Sequence, residues 1–258
     1  MGKKAYATAS GRALAEAAQR IFHECELAED SLRHLRDGWM GRVRVGTTNT
    51  ALMYDLPPVL HQLSLDHPGI DLHVSNMATS ESVERVLQNA TDLALVTLPV
   101  QNRHLRVTPL RAQVLVAILP RGTRNPPDEI TPDYVAHQRL LVEHAQGAVH
   151  ALIMRWLSGQ TPLPRSPMHL GTIEALKTAV EANLGMSIVP NVAVVERTAG
   201  LIVRPLRPRV PCTLALIEHY AKPNAPALEI VRSALLGLRD TGELKPARVG
   251  VRRRTSKP

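Results

Sequence analysis

Aromatic residues are scarce in this sequence: of 258 residues, one is Phe, two are Trp and four are Tyr, about 3% in all. Proteins that bind single-stranded nucleic acid use exposed aromatic rings as stacking platforms, so the composition argues against that class. Long apolar runs are also missing. Without a run of about 18 apolar residues there is no candidate transmembrane helix, and the first seven residues lack the apolar core of a signal peptide. We therefore expect a cytoplasmic protein.

Cysteines and catalytic motifs are equally sparse. The two cysteines, Cys25 and Cys212, are expected to be reduced thiols, as is usual in the cytoplasm. His61, His67 and His73 are spaced six residues apart, which is not the spacing of a zinc site. The Gly-x-Ser-x-Gly, Walker and Gly-x-Gly-x-x-Gly motifs are absent. We predict no catalytic residues, no metal and no cofactor, although the scattered Asp and Glu residues leave open a catalytic pair that no motif marks.

Positive charge is concentrated at the carboxyl end. Six basic residues follow residue 244 with no acidic residue among them: Lys245, Arg248, Arg252, Arg253, Arg254 and Lys257. Taking these 6 charges from the net charge of +8 leaves only +2 for the rest of the chain. We predict that residues 240–258 are a disordered basic tail, which is either simply solvated or in weak contact with nucleic acid.

A long helix is predicted for residues 8–38. Its apolar residues alternate at spacings of four and three over three heptads, the pattern of a coiled-coil seam. The seam consists of Leu14, Ala18, Ile21, Cys25, Ala28, Leu32 and Leu35. It could pair with a second copy of the chain or pack on the helix's own domain, and we favour dimerisation.

Residues 41–96 alternate between strand and helix patterns. Strands are predicted at 41–46, 70–74 and 92–96, with helices between them. The first of these helices has one apolar stripe, formed by Leu52, Leu56, Leu60 and Leu63. Repeated β-α-β units require a mostly parallel sheet covered by helices.

A second set of elements begins after residues 106–111, where we expect the chain to leave the first unit. It comprises strands at 114–118, 140–142 and 201–206, helices that begin at Thr131 and Gly147, and a Pro-rich loop at 160–167. A late strand at 213–217 and a final helix at 227–238 are expected to return to the first unit. The predicted organisation is an N-terminal segment at 1–40, a first lobe at 41–110 and 211–239, a second lobe at 111–210, and the tail at 240–258.

The most informative stretch is residues 170–190. Thr172 is a good N-cap, and Ile173, Leu176, Val180 and Leu184 form an apolar stripe behind it. Asn183 tolerates the left-handed conformation at a helix end. A short buried strand at 186–189 then ends at Pro190.

This stretch resembles the second-lobe signature of LysR-type transcriptional regulators, in which a helix leads through a Gly-x-Gly turn into an apolar strand and a proline. Asn183 replaces the first glycine of that turn. The segments at 41–46 and 92–96 are similar to first-lobe landmarks of the same family. The resemblance covers about residues 8–238 and implies an α/β, two-lobed fold like that of periplasmic binding proteins, with an N-terminal dimerisation helix.

The family also has a winged helix-turn-helix before the dimerisation helix. Here only residues 1–7 precede it, and they resemble the end of the wing. Either the chain or its gene model is truncated, or the protein has lost direct operator recognition. By itself this chain is expected to bind DNA only weakly and without sequence preference.

Hydroxyl groups lie at the predicted strand-to-helix turns, where ligands bind in doubly wound sheets. By this position Thr48, Asn49 and Thr97 are candidate ligand residues. The resemblance implies that the ligand contacts Thr50, Thr79 and Thr172, with the loop that contains His144 and Gln146 opposite. Any single threonine among them could instead be a simple N-cap. No Arg lies in these loops, which favours a small carboxylate or a neutral metabolite over a multiply charged anion.

The function that the resemblance implies is that of the effector-sensing, dimerising part of a LysR-type regulator. Under this hypothesis a metabolite binds between the lobes, the chain forms a homodimer or tetramer, and the intact protein binds DNA. The alternative is a cytoplasmic small-molecule-binding module, or an enzyme, on the same fold with no link to DNA. The heptad helix distinguishes them, because a free-standing binding protein has no use for it, and the genomic sequence upstream of Met1 would decide.

Overall fold

The structure is a computed structural model. It describes residues 8–11, 14–15, 17–19, 21–22, 25, 40–143, 147–159, 165–194 and 200–239, without the side chains of 165–167. The predicted tail at 240–258 and the seam residues Ala28, Leu32 and Leu35 lie outside this description. Within it, residues 9–11, 14–15, 17–19, 21–22 and 25 are helical, in agreement with the predicted long helix. No helix among the described residues is long and apolar enough to cross a membrane.

The first half of the molecule contains three parallel strands. These are β1 (Gly41–Thr47), β2 (Ile70–Asn76) and β3 (Leu93–Thr97), with β1 in the middle. Helices α1 (Asn49–Tyr54) and α2 (Leu56–Asp66) follow β1, and α3 (Thr79–Leu87) follows β2. The predicted strands and the β-α-β order are confirmed.

The helix predicted between the first two strands is in fact two helices, α1 and α2. Pro57 and Pro58 lack the backbone N–H groups that a continuous helix would donate to the carbonyls of Met53 and Tyr54. Helix α1 therefore ends at Tyr54, and the two prolines occupy the first turn of α2, where a missing N–H costs nothing.

One long strand, β4 (Leu105–Pro120), runs through both halves. Its first part pairs antiparallel with β9 (Pro211–His219), and its second part pairs with β7 (Met186–Pro190) and β8 (Leu201–Pro205). Residues 106–111, where the chain was predicted to cross from the first unit to the second, thus lie inside one continuous strand. The register of this strand against β9 is irregular between Pro109 and Arg111.

The second half is completed by β5 (Arg139–Val142) and β6 (Arg165–His169), with helices α4 (Pro132–Ala136), α5 (Ala148–Trp156) and α6 (Ile173–Glu181). Eight of the nine strands follow the order β2-β1-β3-β9-β4-β7-β5-β6, and β8 pairs with β4 outside this path. The prediction of a loop over residues 160–167 is wrong for 165–167, which are the first residues of β6. Because β6 is an edge strand, the missing N–H of Pro167 does not prevent pairing.

Apolar clusters lie on the faces of the sheet in each half. In the first half, Leu56 and Leu93 pack with Val231 of the last helix, α7 (Pro226–Leu236). In the second half, Ile118, Leu141 and other strand residues pack against α6. Helix α7 therefore packs on the first half, as predicted for the final helix.

The informative stretch folds largely as predicted. The Thr172 hydroxyl accepts a hydrogen bond from the Ala175 N–H at 3.2 Å and caps α6. Asn183 adopts a left-handed conformation, with φ of 62°. The prediction for Leu184 was wrong: α6 ends at Glu181, so Leu184 leaves the apolar stripe and is 43% exposed.

Gly185 is required for the close approach of this turn to β5. A Cβ atom at Gly185 would lie 2.4 Å from the Arg139 carbonyl oxygen. We expect Gly185→Ala to lower the free energy of unfolding by about 1–3 kcal/mol, the usual cost of an added methyl group in a packed site. Gly122→Ala is the control, because no described atom beyond the two adjacent residues lies within 4 Å of the added methyl there. Urea unfolding that shows equal, small changes for both variants would contradict the expectation.

Candidate ligand-binding site

A cavity of about 430 Å³ lies between the two halves, at the carboxyl ends of several strands. Thr48 follows β1, Asn76 ends β2, Thr97 ends β3, and Glu143 follows β5. The volume is within the range of small-molecule sites. The position is the one at which doubly wound sheets bind ligands.

The wall from the first half is polar. It consists of Thr48, Asn49, Thr50, Asn76, Thr79, Ser80 and Thr97, with Met77 and Ala78 between them. All five predicted ligand residues of this half, Thr48, Asn49, Thr50, Thr79 and Thr97, are therefore brought together around one cavity.

Two of these hydroxyls also organise the wall. The Thr48 oxygen accepts from the Ala51 N–H at 3.4 Å and caps α1. The Thr79 oxygen accepts from the Thr97 N–H at 3.3 Å and so joins α3 to the end of β3. Since a hydroxyl that accepts a hydrogen bond keeps its own proton, both can still donate to a ligand.

The wall from the second half is mainly apolar. Its side chains include Val149, Ile153, Ile173, Leu176 and Ile188. The polar exceptions are Glu143 and His150. His150 was missed from the sequence, because nothing in its spacing distinguishes it from other surface histidines; its place in the first turn of α5, after the loop predicted to face the ligand, is the only signal.

Of the three remaining predicted ligand residues, the structure describes only Thr172. Thr172 is exposed, does not line the cavity, and uses its hydroxyl to cap α6; its neighbour Ile173 lines the cavity instead. His144 and Gln146 lie outside the described residues. The loop that contains them begins at Glu143, which lines the cavity.

Two polar atoms of the cavity residues lack a partner. The side-chain nitrogen Nδ2 of Asn49 and the ring nitrogen Nδ1 of His150 are buried and have no hydrogen-bond partner among the described residues. Leaving such an atom unsatisfied costs about 1–3 kcal/mol. A ligand that bonds to these atoms recovers this cost, so both point to the cavity as a binding site.

The cavity has no fixed positive charge among the described residues. No Lys or Arg lines it, whereas the Glu143 carboxyl does. Burial lowers the pKa of His150 below its ordinary value, and the nearby His169 lowers it further, so His150 is mostly neutral at pH 7. The favourable partial charges are those of the backbone N–H groups at the starts of α3 and α5.

A hydrogen-bonded cluster connects the two halves beside the cavity. The Tyr54 hydroxyl, at the end of α1, bonds to the Glu174 carboxylate in the first turn of α6. The Lys177 ammonium group is 2.9 Å from the same carboxylate and 5.7 Å from the centre of the Tyr54 ring. Burial, together with the bond to Glu174, raises the pKa of Tyr54 well above its ordinary value. The helices that border the cavity from opposite sides are therefore joined directly.

Comparison with known proteins identifies, along most of the chain, the LysR family that the sequence resembles. The model of the LysR substrate binding domain matches residues 36–238. The probable RuBisCO transcriptional regulator of Thalassiosira pseudonana is 26% identical over 202 residues, which are 75% of this chain and 66% of that protein. The HTH-type transcriptional regulator CfxR of Cupriavidus necator is 29% identical over 185 residues, which are 70% of this chain and 57% of that protein. The chain thus spans less than two thirds of the length of these relatives.

A solved structure supports the fold. The regulatory domain of CcmR from Synechocystis, in complex with 2-PG, superposes with a TM-score of 0.70 and 18% identity, covering 78% of this chain and 98% of that domain. This likeness confirms the predicted α/β, two-lobed fold. Because the family model also matches well over half of the sequence, the protein belongs to the LysR-type transcriptional regulators, and residues 36–238 are its LysR substrate binding domain.

Proposed function

We propose that this chain is the effector-sensing and dimerising part of a LysR-type transcriptional regulator and that a small metabolite binds in the cavity between its halves. The observation that carries the proposal is the pair of buried, unpartnered nitrogens of Asn49 and His150, one on each wall of a single cavity. The relatives are transcriptional regulators by name, and one neighbouring regulatory domain holds 2-PG. The chain would therefore act by binding rather than by catalysis, and in the cytoplasm.

The signal would be a change in the arrangement of the two halves. They are linked by the paired strands β4 and β9, near Val114 and Pro211. Asp55, between α1 and α2, receives a bond of 2.6 Å from Arg111 on β4 and so attaches the polar wall to the crossing. A ligand that contacts both walls favours one arrangement only to the extent that it binds that arrangement more tightly.

The output would pass through a dimer to DNA. The seam residues Leu14 and Ile21 are helical and are 71% and 63% exposed in the single chain, as expected for a seam that pairs with a second copy. In the intact protein a ligand-dependent change in the dimer would alter the spacing of two DNA-binding heads. The basic tail gives this chain itself only weak, non-specific attraction to DNA.

Threonine-to-valine variants test the site. A panel of small metabolites is first screened by thermal unfolding; a ligand at about 100 times its Kd should raise the melting temperature by roughly 5–10 °C. Thr50→Val and Thr79→Val should then weaken the binding of a hit about threefold to tenfold, because valine keeps the shape and removes the hydroxyl.

Thr172→Val is the matched control. Because Thr172 lies outside the cavity, we expect unchanged affinity and a loss of about 1 kcal/mol of stability from the missing N-cap. Calorimetry on the three variants separates these effects. A panel without any hit, or hits that bind equally well to the variants at 50 and 79, would rule out this cavity as the effector site.

A further inference from the structure

The cavity described above has two chemically different walls, and this difference restricts what can fill it. We propose that the ligand has one small oxygen-bearing head, uncharged or singly negative, and a hydrocarbon body. The head would lie against the polar wall of the first half, and the body would lie against the apolar wall of the second. This inference rests on the proposed function and specifies the class of effector.

The head is inferred from the donors of the first wall. The unpartnered Nδ2 of Asn49 can only donate, so it requires an oxygen or another acceptor on the ligand. The hydroxyls of Thr50 and Ser80 lie on the same wall. A carboxylate, amide or hydroxyl group is small enough for this wall and matches its donors.

The charge limit follows from what surrounds the head. A doubly charged phosphoryl or phosphonyl group is usually held by Arg or Lys side chains. The described lining contains neither, and Glu143 adds a negative charge. A single carboxylate can be held by Asn49 and by the N–H groups at the start of α3, where the helix dipole is favourable. A second negative charge would remain uncompensated in a partly buried site.

The body is inferred from the second wall. Val149, at the start of α5, is half-buried and presents aliphatic surface to the cavity. The other aliphatic side chains of this wall are almost fully buried and add shape rather than exposed surface: Ile153, Ile173, Leu176 and Ile188. A purely polar metabolite would leave this surface without an apolar partner, whereas a hydrocarbon group would remove it from water at about 25 cal/mol per Å². The two walls together select an amphipathic molecule.

A matched series of probes tests the proposal. Phenylacetamide, phenylacetate and benzylphosphonate share one body and carry heads of charge 0, −1 and −2 at about pH 8, while acetate has a head without the body. Isoleucine methyl NMR reports the site: signals of Ile153, Ile173 and Ile188 should shift on binding. Signals of Ile70 and Ile217, which belong to other apolar clusters and do not line the cavity, should not shift. Titrations to about 20 mM suffice for fragments of this size.

We expect phenylacetamide and phenylacetate to shift the three cavity methyls with at least about tenfold higher affinity than benzylphosphonate or acetate. Asn49→Leu should weaken phenylacetate about threefold to tenfold through loss of the donor. Asn49→Asp, which keeps the size and adds a negative charge, should weaken phenylacetate further, and more than it weakens the uncharged phenylacetamide. Glu143→Gln should narrow the difference between phenylacetate and benzylphosphonate.

Three results would overturn the inference. Benzylphosphonate could bind at these methyls as tightly as phenylacetate, acetate could bind as tightly as phenylacetate, or no member of the series could shift them. In the first two cases the cavity is still an effector site and only the ligand class is wrong. The proposed function is tested separately, by the metabolite panel and the variants at 50 and 79, so its failure is distinguishable from that of the ligand class.

Discussion

Replacing Asp92 with Asn should lower the free energy of unfolding at pH 7 by about 3 kcal/mol, the usual effect of removing one partner from a buried ion pair. The Asp92 carboxylate is buried before β3 and is 2.7 Å from the Lys222 ammonium group. It also accepts from the Arg44 backbone N–H at 2.7 Å and from the Arg44 guanidinium group. The neutral amide would leave Lys222, whose side chain is only 7% exposed, without its counter-charge.

The same carboxylate should make stability depend on pH. Burial by itself would raise the pKa of Asp92, but Arg44 and Lys222 outweigh it and hold the pKa below the ordinary value. A group with a depressed pKa in the folded state stabilises the fold above its unfolded pKa, about 3.9, and loses that contribution as the pH falls through the folded pKa. The wild-type protein should therefore lose stability below about pH 4, and Asp92→Asn should show a shallower loss over the same range.

Asp71→Asn is the matched control. Asp71 pairs with Arg42 at 2.6 Å between neighbouring strands, but the two side chains are 37% and 55% exposed, so the change should be within about 0.5 kcal/mol. Urea unfolding of the wild type and both variants at pH 7 and at about pH 3, below the ordinary pKa of an Asp side chain, makes the comparison. Similar losses for both would mean that the Asp92 cluster contributes no more than an ordinary surface pair.

The order of strands and helices was predictable because it depends on local patterns. Residues 93–96 form an apolar run, which predicts a buried strand, and the structure buries all of them. Thr131 and Thr172 have hydroxyls that can cap a helix, and each precedes a helix in the structure. What could not be predicted depends on partners that are distant in sequence. Nothing near Leu105 shows that β4 continues for 16 residues through both halves, because the two parts of the strand are stabilised by different partners, first β9 and then β7 and β8.

The candidate site also has one part that the sequence predicts, the polar wall, and one part that it does not, the apolar wall. The first-half residues lie directly after strands, so the rule that ligands bind at the carboxyl ends of strands was enough to find Thr48, Thr79 and Thr97. The apolar wall and His150 come from helix faces, and which residues of a helix face a cavity depends on how the two halves are packed. Thr172 shows the limit of the rule, because it follows a strand and caps a helix yet does not line the cavity.

The second large effect is expected at the N-terminal helix. Leu14→Asp combined with Ile21→Asp should convert the protein from a dimer to a monomer at micromolar concentration. Both side chains belong to the heptad seam, and both are exposed in the single chain, at 71% and 63%. Burying a Leu or Ile side chain in a dimer is worth about 1.5–3 kcal/mol, and each dimer loses four of them. A loss of more than about 4 kcal/mol raises the dissociation constant over a thousandfold.

Ala15→Asp combined with Gln19→Asp is the control for this prediction. The two positions lie on the same helical segment, are exposed and are not seam positions, and the change adds the same number of negative charges. Light scattering coupled to gel filtration should give the monomer mass for the seam variant and the dimer mass for the control. Circular dichroism must show that the seam variant keeps its helix content, since an unfolded helix would also release the dimer. If the folded seam variant keeps the dimer mass, the two copies associate through another surface, and the ligand signal proposed above must reach that surface instead of the helix.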